Sequence, residues 1–151
     1  MDKSVEEVQN QTMARPLSYT TTGDAAAQIG AVPAKAAIAM RTFFRLAAAW
    51  QLSTDEARIL LGQPARATFF QWKGGRIGRL SHDVVSRISW LLGIWKALQI
   101  LFADATRADA WLRQPNELLG GQTALQRMLA GDVGDLAAVR SVLDAARGGG
   151  Q

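Results

Sequence analysis

A chain of 151 residues that is 48% hydrophobic and 20% charged can hold one medium helical domain or two small ones around a buried core. The absence of cysteine excludes disulfides, thiol catalysis and cysteine-type zinc sites, and it fits a reducing cytoplasm. The net charge of +4 is concentrated: between Ala36 and Lys96, Arg41, Arg45, Arg58, Arg66, Lys73, Arg76, Arg79, Arg87 and Lys96 oppose only Asp55, Glu56 and Asp83, whereas the flanks sum to −1 each. A basic middle joined to a near-neutral tail suits a DNA-reading module attached to a protein-binding one.

Residues 1–32 are polar, rich in Thr, Gln and Ala, and place Asp2, Glu6 and Glu7 beside Lys3 with no apolar run. They are expected to form a flexible arm and not a secretory signal. Pro33 opens a helix expected to reach Trp50, with Ile38, Phe43, Leu46 and Trp50 as core contacts. Ser53 is then a good N-cap, and Glu56 three residues on completes a capping box at the start of a short helix carrying Ala57, Leu60 and Leu61. Gly62 supplies the positive φ of a tight turn, and Pro64 suits the first turn of a second helix running to Lys73.

Two short helices across a glycine turn outline a helix-turn-helix. At about 100° per residue, Ala65, Phe69 and Trp72 share one face with Thr68 at its edge, and Arg66, Ala67, Phe70, Gln71 and Lys73 fall on the other. That second set is the candidate DNA-reading surface. Arg66 and Gln71 can bond base edges or phosphates, while Phe70 is an aromatic ring on a charged face, poorly placed for a core and well placed against thymine methyls. Arg76 and Arg79, in the glycine-rich loop 74–79, are candidate phosphate contacts. The alternative is an amphipathic hairpin whose polar face is merely solvated. Within the loop, Gly75-Arg76-Ile77-Gly78 fits the GXXG pattern of KH domains but lacks the alternating strands around it, and no Walker loop is formed.

Ser81 caps a long helix of about 28 Å with Val84, Ile88, Leu91 or Leu92, Trp95, Leu98 and Phe102 along its buried stripe. Arg87 and Lys96 interrupt this apolar run, which therefore reads as a core helix and not a membrane span. His82, the single histidine, sits in the first turn beside Asp83 as a surface or capping residue. Neither a catalytic residue nor a metal or cofactor site is expected from one histidine, no cysteine and scattered carboxylates. Farther on, Pro115 and Asn116 stop a short helix, Gly120 and Gly121 bend the chain, a helix over 123–130 ends before Gly131, and a last helix over 135–147 buries Leu136, Val139, Leu143 and Ala146.

The run Trp111-Leu112-x-x-Pro115-Asn116-x-x-Leu119-Gly120-Gly121, followed by a helix, a glycine and a final valine-leucine helix, resembles the toxin-binding domain of the Xre/MbcA/ParS antitoxin family. The part before it, Leu60-Leu61-Gly62-x-Pro64 through Phe69-Phe70-x-Trp72-Lys73-x-Gly75 to Leu91-Leu92-Gly93-Ile94 and Leu101-Phe102, resembles that family's Xre-like helix-turn-helix domain. The chain departs from the pattern at Thr123-Ala124-Leu125, where the family often places a proline before the leucine.

The resemblance implies an all-α fold in which a flexible arm (1–32) precedes a helix-turn-helix DNA-binding domain (33–102), joined by a long helix to a small helical toxin-binding domain (103–151). It implies a non-enzymatic, cytoplasmic antitoxin of a type II toxin-antitoxin system, working without a cofactor. Its partner would be a RES-domain toxin that consumes NAD by phosphorolysis, hydrolysis or ADP-ribosyl transfer, inhibited by covering its active site. The toxin-binding residues implied are Trp111, Leu112, Pro115, Asn116, Leu118, Leu119, Gly120 and Gly121, with Arg147 near the NAD phosphate region. As a homodimer the chain would also bind double-stranded DNA at its own promoter and repress it. The other reading is a stand-alone helix-turn-helix regulator whose tail serves dimerisation.

Overall fold

The computed structural model describes residues 33–149, and the expected arm over 1–32 lies outside them. The described residues form α1 (Pro33–Ala49), α2 (Thr54–Leu60), α3 (Arg66–Lys73), α4 (His82–Leu101), α5 (Ala105–Ala110), α6 (Ala124–Met128) and α7 (Val133–Gly149). Two 3-10 turns, Trp111–Arg113 and Glu117–Leu119, separate α5 from α6. The fold is all-α: an N-terminal helix-turn-helix region joined by a long helix to a small helical C-terminal part.

Helix α1 buries Ala36, Met40, Phe43, Ala47 and the following Trp50, a stripe at alternating spacings of four and three residues, with Leu46 beside it. Ile38 is two residues off that stripe and 58% exposed, contrary to expectation. Helix α2 starts as its sequence dictates: the Ser53 hydroxyl accepts from the Glu56 amide at 3.0 Å, and the Glu56 carboxylate accepts from the Ser53 amide at 2.9 Å. The turn holds Gly62 at φ +94° and Gln63 at φ +62°. Pro64 lies outside α3, which begins at Arg66 after Ala65, the N-cap, at ψ +148°, and the Pro64 carbonyl accepts from the Arg58 guanidinium at 2.9 and 3.1 Å.

Helix α4 starts at its Ser81 cap, whose hydroxyl accepts from the Val84 amide at 3.2 Å. Its buried residues Ile88, Leu91, Ile94, Ala97 and Leu98 are not one narrow stripe. The reason is that α4 packs against α1 on one side and α7 on another, so Ile94 and Ala97, absent from the expected stripe, are core, while Val84 and Trp95 are only partly buried. By length and composition it is the one described helix able to cross a membrane; here its apolar residues serve two helix interfaces.

At Gly93 the tip of the Arg140 side chain of α7 lies over α4, where a Cβ would displace it. Helix α6 is shorter than expected and α7 longer at both ends. Leu136, Val139 and Leu143 of α7 are buried, but Ala146 is exposed because the last turn runs past α4's cover. One continuous hydrophobic cluster runs from Ala36 through the helix-turn-helix and α4 to Leu143.

Candidate functional site

Helix α3 sets Phe69, 1% exposed, against the core and turns Arg66, Ala67, Phe70, Gln71 and Lys73 to solvent. Trp72 and Thr68 are partly covered, as the helical phase demands, whereas Ala65 is exposed because it caps the helix instead of joining its buried face. The rings form a relay: Phe43 to Phe44, Phe44 to Phe69, and Phe69 to Phe70, each edge-to-face with centroids 5.3, 5.4 and 5.3 Å apart. Phe70, 43% exposed, is therefore a surface ring braced from the core. The Arg66 guanidinium lies 5.5 Å from the Phe70 centroid and pairs with the Asp55 carboxylate of α2 at 3.4 Å. Sequence reasoning missed Asp55 as a member of this surface, because nothing along the chain indicates that a residue eleven positions earlier faces Arg66.

Arg76 and Arg79 are exposed in the loop after α3. The loop starts fixed, with the Arg76 amide donating to the Gln71 carbonyl at 2.8 Å, and ends fixed at buried Leu80. Together these residues make an exposed basic edge around a short helix that is about 12 Å long, a size that fits the major groove of DNA.

The second surface is the bend between α5 and α6. Here Leu118 is 71% exposed, the most protruding large apolar side chain described, while Leu112 and Leu119 are 1% and 5% exposed and belong to the core. Those two therefore support the bend from beneath and present nothing to a partner. Trp111 is partly buried; Pro115, Gly120 and Gly121 are exposed. Gly120 and Gly121 hold φ +71° and +90°, values that only glycine adopts freely. The Asn116 side chain accepts from the Leu118 amide at 2.9 Å, its backbone amide donates to the Gln122 carbonyl at 3.0 Å, and Gly121 N–H returns to the Asn116 carbonyl at 2.9 Å. Asn116 thus acts as the clasp that holds Leu118 out. Thr123 opens α6 through a reciprocal cap with Gln126 at 2.8 and 2.9 Å. Arg147 is exposed near the end of α7, about 21 Å along that helix from its start.

The two surfaces belong to one body. Arg113, at the root of the bend, donates to the carbonyls of Trp50 and Gln51 at 2.7 and 3.2 Å and so caps the carboxyl end of α1 across the chain. Beside it a cleft of about 270 Å³ is lined by Trp50, Thr106, Asp109 and Arg113. Burial raises the Asp109 carboxyl above its usual value, and the buried indole N–H groups of Trp50 and Trp95 temper that rise without completing a hydrogen bond. Among the described residues no cluster of three His, Asp or Glu side chains could hold a metal ion.

Comparison with known proteins follows the same division. Residues 27–93 match the antitoxin Xre-like helix-turn-helix domain, and residues 97–149 match the antitoxin Xre/MbcA/ParS C-terminal toxin-binding domain. The chain is 51% identical over 110 residues to the uncharacterized protein y4oB of Sinorhizobium fredii (strain NBRC 101917 / NGR234), covering 73% of this chain and 84% of that one. It is also similar, 32% identical over 85 residues, to the probable inorganic carbon transporter subunit DabA of Roseiflexus castenholzii (strain DSM 13941 / HLO8), but over 50% of this chain and only 10% of that protein. No solved structure matches.

Proposed function

The chain belongs to the Xre/MbcA/ParS antitoxin family, a helix-turn-helix regulator and not an enzyme, and from that premise we propose that it neutralises a RES-domain, NAD-consuming toxin by covering its active site and represses its own promoter as a homodimer. The observation that carries the toxin half is Leu118, held 71% exposed on a clasped bend within the toxin-binding domain. An exposed leucine on a rigid two-glycine bend is an anchor for a pocket on a partner, and Trp111 and Pro115 would border it. Arg147 would extend the interface toward an anionic NAD phosphate.

The DNA half rests on the exposed face of α3. A homodimer would place two copies of Arg66–Lys73 in successive major grooves about 34 Å apart, with Arg76 and Arg79 on the phosphates. Such a module would act in the cytoplasm, where promoter and toxin are both reached.

The test is to express the reading frame adjacent to this gene, with and without this chain, while measuring cellular NAD and growth. Depletion that the wild-type chain reverses is expected. Leu118→Asp, at a site that the fold leaves open, should weaken toxin binding about 10-fold or more and lose the rescue. An adjacent product that leaves NAD untouched would remove the RES assignment, and full rescue by Leu118→Asp would move the interface off the bend. Deleting everything after Phe102 is not an equivalent test, because it would also strip α7 from α4.

A further inference from the structure

We propose that Asp55, Arg66 and Phe70 form a preset device that reads a guanine lying one or two base pairs from a thymine, with Asp55 as its positioning residue; this deepens the DNA-reading assignment of α3 and rests on it. Arg66 is the first residue of α3, the part of a recognition helix that reaches base edges. Although 60% exposed, its side chain is not free: the Asp55 carboxylate holds Nη1 at 3.4 Å and the Phe70 ring lies 5.5 Å from Cζ. Phe70 is in turn fixed edge-on to Phe69, which is buried. The guanidinium is therefore biased toward one orientation by an exposed ion pair and a ring contact before any ligand arrives.

A guanidinium carries five N–H donors in a planar fork, and Asp55 engages one nitrogen. The remaining edge is suited to the O6 and N7 acceptors of guanine, the two-acceptor pattern that an arginine fork matches. Phe70 presents 43% of its surface beside it, and the thymine methyl is the apolar group on the major-groove edge that such a ring would cover. The 5.5 Å between guanidinium and ring, set against a rise of about 3.4 Å per base step, places the two bases one or two steps apart.

Asp55 argues against the simpler view that Arg66 is only a phosphate contact. A carboxylate 75% exposed at the tip of α2 repels phosphates and offsets the charge of Arg66, which lowers affinity for DNA of any sequence. Its gain is orientation. Asp55 also lies 3.6 Å from Arg58, whose guanidinium is anchored on the Pro64 carbonyl, so the acid is itself placed by the helix-turn-helix turn.

The experiment uses the full chain and begins with selection of bound duplexes from a random pool. The recovered half-site is expected to contain a guanine one or two base pairs from a thymine. Replacing that guanine by 7-deazaguanine should cost the wild type about five- to 150-fold, and replacing the thymine by deoxyuridine should cost a smaller factor. Arg66→Ala should bind without regard to the first replacement, and Phe70→Ser without regard to the second. Asp55→Asn should bind random DNA more tightly, with a salt slope steeper by about one, while the ratio of specific to random affinity falls. All three positions are exposed, and circular dichroism checks that each variant is folded.

A half-site without this pair of bases, a wild type indifferent to both analogues, or an Asp55→Asn that scales specific and random binding alike would overturn the device while leaving DNA reading by α3 in place. If the wild type selects no sequence, the DNA-reading assignment falls and the device with it.

Discussion

At the scale of single residues, the exposed face of α3 and the bend at Leu118 differ from the rest of the surface in being braced. Phe70 packs edge-on against Phe69, Arg66 pairs with Asp55, and the backbone that carries Leu118 is tied to Asn116, so each group is offered to a partner from a defined position. The same economy shows in Asp135, which joins α7 to α6: Arg127 donates to its carboxylate at 2.8 Å and the Asp132 amide donates at 3.1 Å. That hydrogen bond from Arg127 holds the Asp135 carboxyl below its usual 3.8. A depressed folded value means stability that is present above pH 3.8 and lost as pH falls through the lower folded value. Asp135→Asn should therefore cost about 1 kcal/mol at pH 7, with partial exposure limiting the figure, and the gap to wild type should close in strong acid. Urea unfolding at pH 7 and along a descending acid series measures both. Asp109 has the opposite sign: its raised carboxyl favours the fold at low pH and loses that contribution as pH rises through the folded value.

At the scale of elements, caps and turns fix the helix boundaries, and these were legible because they are local. Ser53 with Glu56, Ser81 and the glycines at 120 and 121 all act where the sequence places them. Pro64 does not open α3: the chain stays extended through Ala65, and the Pro64 carbonyl is bound to Arg58 over six residues, a contact that no propensity encodes. The helix-turn-helix turn is also pressed against α4. At Gly62, φ +94°, a Cβ would stand 2.9 Å from Oδ2 of Asp83 and 3.1 Å from Nε of Arg87, which pair with each other at 2.9 Å. Gly62→Ala should thus cost about 1–2 kcal/mol from backbone strain alone, with further loss as that ion pair shifts. Thermal melts, together with binding to selected duplexes, would show α3 misplaced; an unchanged melting temperature would show that the turn tolerates a side chain there.

At the scale of the whole molecule, α4 is the shared wall: α1 packs on one of its faces and α7 on another, and Arg113 ties the bend back to the end of α1. The two surfaces are consequently coupled in stability. Arg113→Ala, which uncaps α1 at one part-buried and one exposed carbonyl, should cost about 0.5–1.5 kcal/mol, and Leu143→Ala in α7 about 2–5 kcal/mol. Each should lower the midpoint of one common transition, followed by tryptophan fluorescence and helicity together. Two separate transitions, with only the tail affected by Leu143→Ala, would show that the halves fold independently. The all-α class, the helix-turn-helix, the caps and the two-glycine bend are legible along the chain because each is encoded by residues within a turn or two of one another. Packing sets the rest: Ile38 and Ala146 face out, Ile94 and Ala97 face in, Leu112 and Leu119 are core while Leu118 protrudes, and Asp55 and Arg113 have distant partners. Burial and long-range pairing depend on which faces other elements cover, and a helix clasped on two sides, as α4 is, no longer displays a single period from which those faces could be read.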